Sequence, residues 1–308
     1  MSPVAEDAMP VELGVIGWPL DVTFSPVMQE AALWEVGLDW RYRRIPVAPD
    51  DLGAFVRSAR GTMRGVNVTI PHKHAACALC SSIDELASAC GAVNTLVFRD
   101  TAGAQPGSGA VPPGGRAIAG FNTDGPGLVR ALSERAGFSP AGKTVLVLGA
   151  GGSATACAAQ MARCGANELM VVNRTRANAE ALCVSLGRVF PQTRLTAVGL
   201  PEASGSPGET AEPADLIISC VPGAADASFR SLVEHARPGG VFMNLAYSSS
   251  PAEMDGIARR VGLRVVPGLE MLLWQGVISF EIFTGVAAPV HVMRKALVEE
   301  AGEWWLKC

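Results

Sequence analysis

The chain has 308 residues, a length that accommodates two domains of ordinary size, each with its own hydrophobic core. Apolar residues make up 49% of the sequence and charged residues 18%, which excludes an intrinsically disordered chain. The formal net charge is −4 and no long basic run occurs, so we expect no nucleic-acid partner.

The sequence also argues against secretion and against membrane insertion. The first twelve residues contain three acids and no base, unlike the charged start and apolar middle of a signal peptide. The most apolar long stretch, residues 268–290, is interrupted by Glu270, Gln275 and Glu281. Because each acid at a bilayer centre would cost roughly 3 kcal/mol, a buried helix explains this stretch better than a membrane span. We therefore expect a cytoplasmic protein with no membrane partner and with reduced cysteines.

In chain order, the first part of the sequence predicts short apolar strands that alternate with helices. The predicted strands lie at residues 13–16, 40–46, 65–70, 92–98 and 116–121, and the predicted helices at 26–36 and 51–59. The last two of these strands are expected to pair across residues 100–115, a glycine- and proline-rich hairpin loop.

The second part of the sequence repeats the alternation more clearly. Strands are predicted at residues 144–148, 168–172, 216–220, 240–244 and 264–266, and helices at 155–163 and 176–186. Residues 203–212 read as a loop, and residues 268–303 are mostly helical. Strands that alternate with helices in this way predict an α/β fold with a parallel, doubly wound sheet.

A glycine-rich turn between the strand at 144–148 and the following helix is typical of a dinucleotide site. Gly149, Gly151, Gly152 and Ala154 belong to a G-x-G-x-x-A sequence in this turn. The first glycine permits the tight turn, the second lets the backbone approach a pyrophosphate, and the small alanine lets the helix pack close to the strand. The free N–H groups at the start of the helix then face the phosphates.

The end of the next strand favours NADP as the cofactor. An NAD site usually has an acid here to bind the ribose 2′-hydroxyl, but this chain has Asn173, Arg174, Thr175 and Arg176, with no acid before Glu180. An arginine binds a 2′-phosphate through charge-assisted hydrogen bonds, whereas a carboxylate would repel it.

One cluster invites a metal-site interpretation. His72, His74, Cys77 and Cys80, with Cys90 nearby, form an H-x-H-x2-C-x2-C pattern that is compatible with zinc. The simpler interpretation is a helix with small cysteines on its core side. We expect no metal, because a stronger motif occupies the same segment.

That motif is the first of three polar strings that core packing does not explain. They are Asn67-Val-Thr-Ile-Pro71-His-Lys73, Ala92-Val-Asn94-Thr95 and Asn122-Thr-Asp124-Gly125. Each places polar side chains at the end of a predicted strand, which is where open α/β sheets bind ligands. Any one of them is explained by turn or cap chemistry, but their joint occurrence predicts a site.

Together these strings resemble the shikimate dehydrogenase family. The resemblance follows the family order over nearly the whole chain and includes Gly14-Val-Ile-Gly17-Trp-Pro19, Ser25-Pro26, the glycine turn, Asn173-Arg-Thr175, Tyr247 and Gly268-Leu-Glu-Met-Leu-Leu-Trp-Gln275. Glutamyl-tRNA reductases share the glycine turn and Asn-Arg-Thr, but they lack the strings of the front half.

The resemblance implies two domains and a reaction. Residues 1–125, completed by the C-terminal helices 268–308, would form an N-terminal α/β substrate domain, and residues 126–267 a Rossmann domain that binds NADP. The active site would lie in the cleft between them. The implied reaction is the reversible reduction of 3-dehydroshikimate to shikimate by hydride transfer from NADPH, within chorismate and aromatic amino acid biosynthesis.

The resemblance also implies residue roles. Lys73 and Asp124 match the catalytic pair of the family. The matched substrate ligands are Thr23 and Ser25 for the carboxylate, Thr69, Asn94 and Gln275 for the hydroxyls, and Tyr247 as a further substrate-side residue. An ammonium such as Lys73 stabilises the negative charge that hydride transfer builds on the carbonyl oxygen, and it shuttles the proton.

Departures from the family pattern leave the substrate open, and one of them lies in the expected carboxylate site. The others are Ser219-Cys-Val221 in place of Asn-x-Thr, Ala179 in place of an arginine and Pro267 in place of an acid. Val22-Thr23-Phe24-Ser25-Pro26 stands where the family usually has His-Ser-x-Ser-Pro, so the histidine is absent and one serine is threonine. The alternatives are a quinate or aminoshikimate dehydrogenase of the same family and, in another class, an NADP(H)-sensing regulator without turnover. The intact Lys73 and Asp124 argue against the sensor. The expected partner is a small hydroxy acid, bound by a monomer or homodimer.

Overall fold

A computed structural model of the chain describes residues 11–99, 116–200, 214–221, 227–234, 236, 238–246 and 252–307. Strands and helices are mixed along the chain, and the described strands form two six-stranded sheets. The predicted loops at 100–115 and 203–212 lie outside the described residues. None of the helices in the described ranges is long and apolar enough to cross a membrane.

The first sheet is mixed and has the strand order β2-β1-β3-β5-β6-β4. Its strands are β1 (Val11–Gly17), β2 (Trp40–Pro46), β3 (Met63–Val68), β4 (Ser82–Ile83), β5 (Thr95–Arg99) and β6 (Ala117–Phe121). β1 runs parallel to β2 and β3, whereas β5 runs antiparallel to both β3 and β6. The predicted pairing of β5 with β6 is therefore confirmed. The helices of this part are α1 (Ser25–Glu35), α2 (Leu52–Thr62), α3 (Lys73–Cys77) and α4 (Glu85–Cys90).

The second sheet is parallel throughout and has the order β12-β11-β10-β7-β8-β9. Its strands are β7 (Thr144–Leu148), β8 (Glu168–Asn173), β9 (Arg194–Gly199), β10 (Leu216–Ser219), β11 (Val241–Asn244) and β12 (Arg264–Pro267). The helices are α6 (Gly152–Arg163), α7 (Arg176–Val189), α8 (Ala227–Glu234) and α9 (Glu253–Arg260). This confirms the predicted doubly wound sheet. The strand order reverses at β7, and the crevice at such a switch point is where α/β sheets bind ligands.

Three further helices pack between and beside the sheets: α5 (Asp124–Ala136), α10 (Gly268–Thr284) and α11 (Val290–Ala301). Helix α10 packs against α5, α1 and α11 and also contacts β3, β5 and β12. It is therefore the element that ties the end of the chain to both sheets.

Several elements were not predicted from the sequence, namely β4, β9, α4, α5, α8 and α9. Strand β9 and helix α5 show the physical reasons. Strand β9 lies at the sheet edge and is only half-buried along most of its length, so its residues lack the continuous apolar run of a central strand. Helix α5 begins with Asp124-Gly-Pro-Gly127, which reads as a turn. Its proline lies in the first helical turn, where proline is tolerated because the N–H has no intrahelical partner.

Gly127 sets the distance between α5 and α10. A Cβ atom at this position would lie 2.6 Å from the backbone nitrogen of Gln275, a contact that side-chain rotation cannot relieve. The glycine thus allows the helix that begins with Asp124 to pack directly on the helix that carries Gln275.

We predict that Gly127→Ala lowers the free energy of unfolding by about 1–3 kcal/mol, because the added methyl group overpacks a helix–helix contact. The matched control is Gly61→Ala near the end of α2, where an added Cβ meets no atom within 4 Å. The control should be neutral or slightly stabilising, since alanine favours helix over glycine. Denaturant unfolding compares the two variants, and equal stability would contradict this account of the α5–α10 contact.

Candidate active site

The three polar strings meet at one edge of the first sheet. Lys73 begins α3 shortly after the carboxyl end of β3, and Asp124 begins α5 shortly after the carboxyl end of β6. Asn94 lies immediately before β5, which starts at Thr95 rather than at the predicted residue 92. Because β5 is antiparallel to its neighbours, its amino end lies beside their carboxyl ends.

Lys73 and Asp124 form an ion pair in the cleft. The lysine Nζ donates to Asp124 Oδ2 at 2.7 Å, and the two side chains are only 12% and 8% exposed. A second donor fixes the other carboxylate oxygen, because Asn94 Nδ2 lies 2.8 Å from Asp124 Oδ1. The pair is therefore held in a defined orientation before any substrate arrives.

Two asparagine side chains accept hydrogen bonds from backbone N–H groups at the start of α5. Asn122 Oδ1 accepts from the backbone N–H of Asp124 at 3.1 Å and of Gly125 at 3.3 Å. Asn94 Oδ1 accepts from the backbone N–H of Thr123 at 2.8 Å. These bonds satisfy N–H groups at a helix start, and the positive end of the helix dipole favours the carboxylate of Asp124 there.

A cavity of about 520 Å³ opens over the ion pair. The predicted substrate ligands among the described residues all line it, namely Thr23, Ser25, Thr69, Asn94 and Gln275. Met271 and Leu272 of α10 add apolar surface to its wall. The remaining predicted ligand, Tyr247, lies outside the described residues, although Leu245 and Ala246 line the cavity. The cavity thus joins hydroxyl and amide groups to an apolar wall, a lining that suits a small polyhydroxylated ring.

Several cavity residues already have protein partners. Thr23 Oγ1 accepts from the backbone N–H of Ser25 at 3.3 Å, so the two predicted carboxylate ligands belong to one turn. Gln275 Nε2 donates to Leu272 O of its own helix at 2.8 Å. Asn67 has a structural role, since it accepts from the Tyr42 hydroxyl at 2.7 Å.

A second cavity, of about 400 Å³, lies over the glycine turn. Its lining includes Gly149, Gly151, Gly152, Ala154, Asn173 and Arg174. Gly149 has a φ of +107°, a conformation that side-chain-bearing residues rarely adopt. A Cβ at Gly151 would meet no atom within 4 Å, so this glycine leaves its backbone accessible from the cavity.

The two remaining residues of the predicted cofactor set lie off this cavity. Thr175 is the residue before α7, and its carbonyl accepts from Asn173 Nδ2 at 2.9 Å. Arg176 Nε pairs with Glu180 Oε1 at 2.8 Å on the exposed surface of α7. Arg174 is therefore the arginine of this turn that lines the cavity.

The two cavities share a wall. Five residues line both of them: Ile70, Lys73, Ser153, Cys220 and Val221. Ser153 was not predicted as a site residue, although it occupies a position of the glycine motif that tolerates any side chain. The signal that could have identified it is a hydroxyl-bearing residue at a motif position where no particular side chain is required.

The two histidines of the possible zinc pattern lie close to backbone carbonyl oxygens of other segments. His72 Nε2 lies 2.7 Å from Val47 O, and His74 Nδ1 lies 2.9 Å from Gly91 O. Burial raises the pKa of the Cys80 thiol to about 12, whereas zinc binds the thiolate. Among the residues that the structure describes, no group of three or more such side chains is placed to hold a metal ion.

Family profiles match three parts of the chain. The shikimate dehydrogenase substrate binding domain matches residues 15–96. The shikimate / quinate 5-dehydrogenase profile matches residues 131–226, and the shikimate 5′-dehydrogenase C-terminal domain matches residues 268–298. The matches follow the same order as the first sheet, the second sheet and the C-terminal helices.

Individual relatives agree with the profiles. A shikimate dehydrogenase (NADP(+)) from Geobacter metallireducens is 37% identical over 291 residues, which cover 93% of this chain and 95% of the relative. The shikimate 5-dehydrogenase of Thermus thermophilus, solved with NADP(H) and shikimate, has a TM-score of 0.75 at 29% identity, with 94% and 99% coverage. The quinate dehydrogenase of Corynebacterium glutamicum, solved with NAD, has a TM-score of 0.76 at 25% identity, with 94% and 99% coverage. The chain belongs to the shikimate dehydrogenase family.

Proposed function

We propose that this chain is an NADP-dependent shikimate dehydrogenase that catalyses the reversible reduction of 3-dehydroshikimate to shikimate. The observation that carries the proposal is the largely buried Lys73–Asp124 pair, 2.7 Å apart. Lys73 lies in the wall shared by the dinucleotide cavity and the polar cavity, and Asp124 lines the polar cavity. The relative from Geobacter metallireducens, which matches almost end to end, supports the same activity.

The residues of the second cavity fit an NADP cofactor. The accessible backbone of Gly151 and the start of α6 suit a pyrophosphate, and the side chain of Arg174 suits a 2′-phosphate. When bound, the nicotinamide supplies the hydride in one direction and accepts it in the other.

The chain's own contribution is proton transfer and charge stabilisation. Lys73 Nζ donates a proton to the substrate oxygen as that oxygen gains negative charge, and it takes the proton back in the reverse direction. Asp124 holds the ammonium through Oδ2, and Asn94 holds Asp124 through Oδ1. We assign the substrate carboxylate to Thr23 and Ser25.

The other predicted substrate ligands keep their proposed roles. We assign the ring hydroxyls to Thr69, Asn94 and Gln275, which line the cavity. Tyr247 is retained as a further substrate-side residue, and Thr175 and Arg176 as outer parts of the cofactor turn.

We also retain the proposed division of the chain into domains. The first sheet lies within residues 1–125 and the second within 126–267, and α11 packs against α1 of the first unit. A cytoplasmic location is supported by the seven described cysteines, all of them unpaired. Light scattering on the purified protein distinguishes a monomer from a homodimer.

Replacing the lysine tests the proposed chemistry. We expect Lys73→Ala to lower kcat for 3-dehydroshikimate reduction by about 10² or more, because the proton donor is lost. The matched control is Lys143→Ala, which removes a half-exposed lysine paired with Asp215 at 3.7 Å, away from both cavities. Steady-state absorbance at 340 nm measures both variants. A Lys73→Ala enzyme with most of its kcat would remove the assigned role.

Cofactor choice tests the arginine that lines the cavity. Wild type should have the higher kcat/KM with NADP than with NAD, and Arg174→Ala should raise the KM for NADP about 10-fold or more, since a charge-assisted hydrogen bond is lost. Arg176→Ala is the control and should have a smaller effect, because that arginine pairs with Glu180 off the cavity. Equal effects of the two variants would contradict the assignment of Arg174.

Substrate choice tests the threonine that replaces a family serine. We expect wild type to prefer shikimate over quinate, and Thr23→Ser to change the KM for shikimate more than kcat, because Thr23 binds the acid away from the hydride. The measurement is kcat/KM for both acids in both enzymes. A wild type that prefers quinate would establish the quinate alternative, and an unchanged KM for both acids would remove Thr23 from the site.

A further inference from the structure

Ser153, at the start of α6, contacts Lys73 in the wall that the two cavities share. Its Oγ lies 3.3 Å from Lys73 Nζ, and it lines both cavities. Ser153 belongs to α6, which follows β7 of the second sheet, whereas Lys73 begins α3, which follows β3 of the first sheet. The hydrogen bond therefore joins the nucleotide-binding part of the chain to the proposed proton donor.

Three other groups near the lysine that carry or gain a charge are Asp124, Cys220 and Cys157. Asp124 approaches from α5 and supplies the negative charge at 2.7 Å. Cys220 lines the cavities from the end of β10, and Cys157 is fully buried in α6. A hydrogen bond to Cys220 and burial raise the pKa of the Cys157 thiol well above its ordinary value, which favours the neutral form.

His74 is the further titratable group next to this wall. Its Nε2 lies 3.2 Å from where a Cβ of Gly152 would be, so the histidine packs against the glycine turn beside Ser153. Its Nδ1 lies 2.9 Å from Gly91 O. The serine hydroxyl is thus a neutral acceptor 3.3 Å from the ammonium, whereas Asp124 is a charged acceptor at 2.7 Å.

We propose that Ser153 is a positioning residue for Lys73, through which the glycine turn helps to hold the ammonium protonated and aimed at the substrate cavity. This inference rests on the proposed function of Lys73 as proton donor. A neutral acceptor stabilises the charged ammonium relative to the amine, and it restricts the rotation of a long side chain. Because Ser153 lies at the start of α6, directly after the glycine turn that would bind the dinucleotide, order at this helix start also orders the lysine.

The test compares Ser153→Ala with Ser153→Thr. The alanine variant loses the acceptor, so kcat for carbonyl reduction should fall about 3- to 10-fold, the loss expected for one hydrogen bond of ordinary strength. Reduction needs the protonated lysine, so the alkaline limb of the kcat profile should move to lower pH. The KM for NADPH should stay within about twofold. The threonine variant keeps a hydroxyl and should restore both kcat and the limb.

Thr155→Ala is the matched control from the same helix. Its hydroxyl donates to Gly151 O at 3.1 Å, so the variant removes a hydroxyl and one hydrogen bond from the same helix without removing an acceptor from Lys73. We expect this variant to leave the alkaline limb where wild type has it. Circular dichroism checks that each variant folds. Ser153→Val, which has the shape of the threonine variant without its hydroxyl, replaces Ser153→Ala in the same assay should the alanine variant be unstable.

The outcomes distinguish a failure of the proposed role of Ser153 from a failure of the proposed enzyme function. Turnover by wild type with no change of kcat or limb in Ser153→Ala overturns the positioning role. A raised KM for NADPH as the sole change overturns it as well, because Ser153 would then be a cofactor ligand. A wild type that turns over none of the substrates contradicts the proposed function instead.

Discussion

The ion pair between Lys73 and Asp124 is the interaction on which the rest of the site depends. Removing two charges from water is costly, and the cost is recovered only where geometry is good and the remaining polar atoms are satisfied. Here the second carboxylate oxygen accepts from Asn94, and the carboxylate sits at the start of α5. The structure therefore uses its polar groups to hold a charged pair in place, which is the arrangement that proton transfer at a carbonyl needs.

The mixed topology of the first sheet brings those groups together. In a wholly parallel sheet, residues before a strand and residues after its neighbour lie at opposite edges. Strand β5 runs antiparallel to β3 and β6, so Asn94 at its start meets Lys73 and Asp124, which follow its neighbours. The site thus draws on segments far apart in sequence, and a single reversed strand makes their convergence possible.

The elements predicted correctly from the sequence are those in which the local residue pattern agrees with the tertiary environment. The apolar run of β7 and the glycine turn after it predicted the parallel sheet, because a buried strand and a positive-φ glycine leave clear marks. Strand β9 was missed because an exposed edge strand lacks a continuous apolar run. Helix α5 was missed because its first four residues, Asp-Gly-Pro-Gly, are typical of a turn. Ser153 was missed for another reason: its contact is with Lys73 of α3, far away in sequence, and the glycine motif shows only that a hydroxyl occupies a position open to any side chain.

The C-terminal helices show how a remote charge cluster supports the site. Glu270 of α10 is fully buried and pairs with Arg294 of α11 at 2.6 Å and with Arg135 of α5 at 3.5 Å. A buried carboxylate that lost one of these partners would keep only part of its charge compensation, so the three helices are favoured in one relative arrangement. Gln275 lies five positions along α10 from this cluster, directly against Gly127 of α5. The charges that hold the helices together therefore also fix one wall of the larger cavity, although Glu270, Arg294 and Arg135 do not line it.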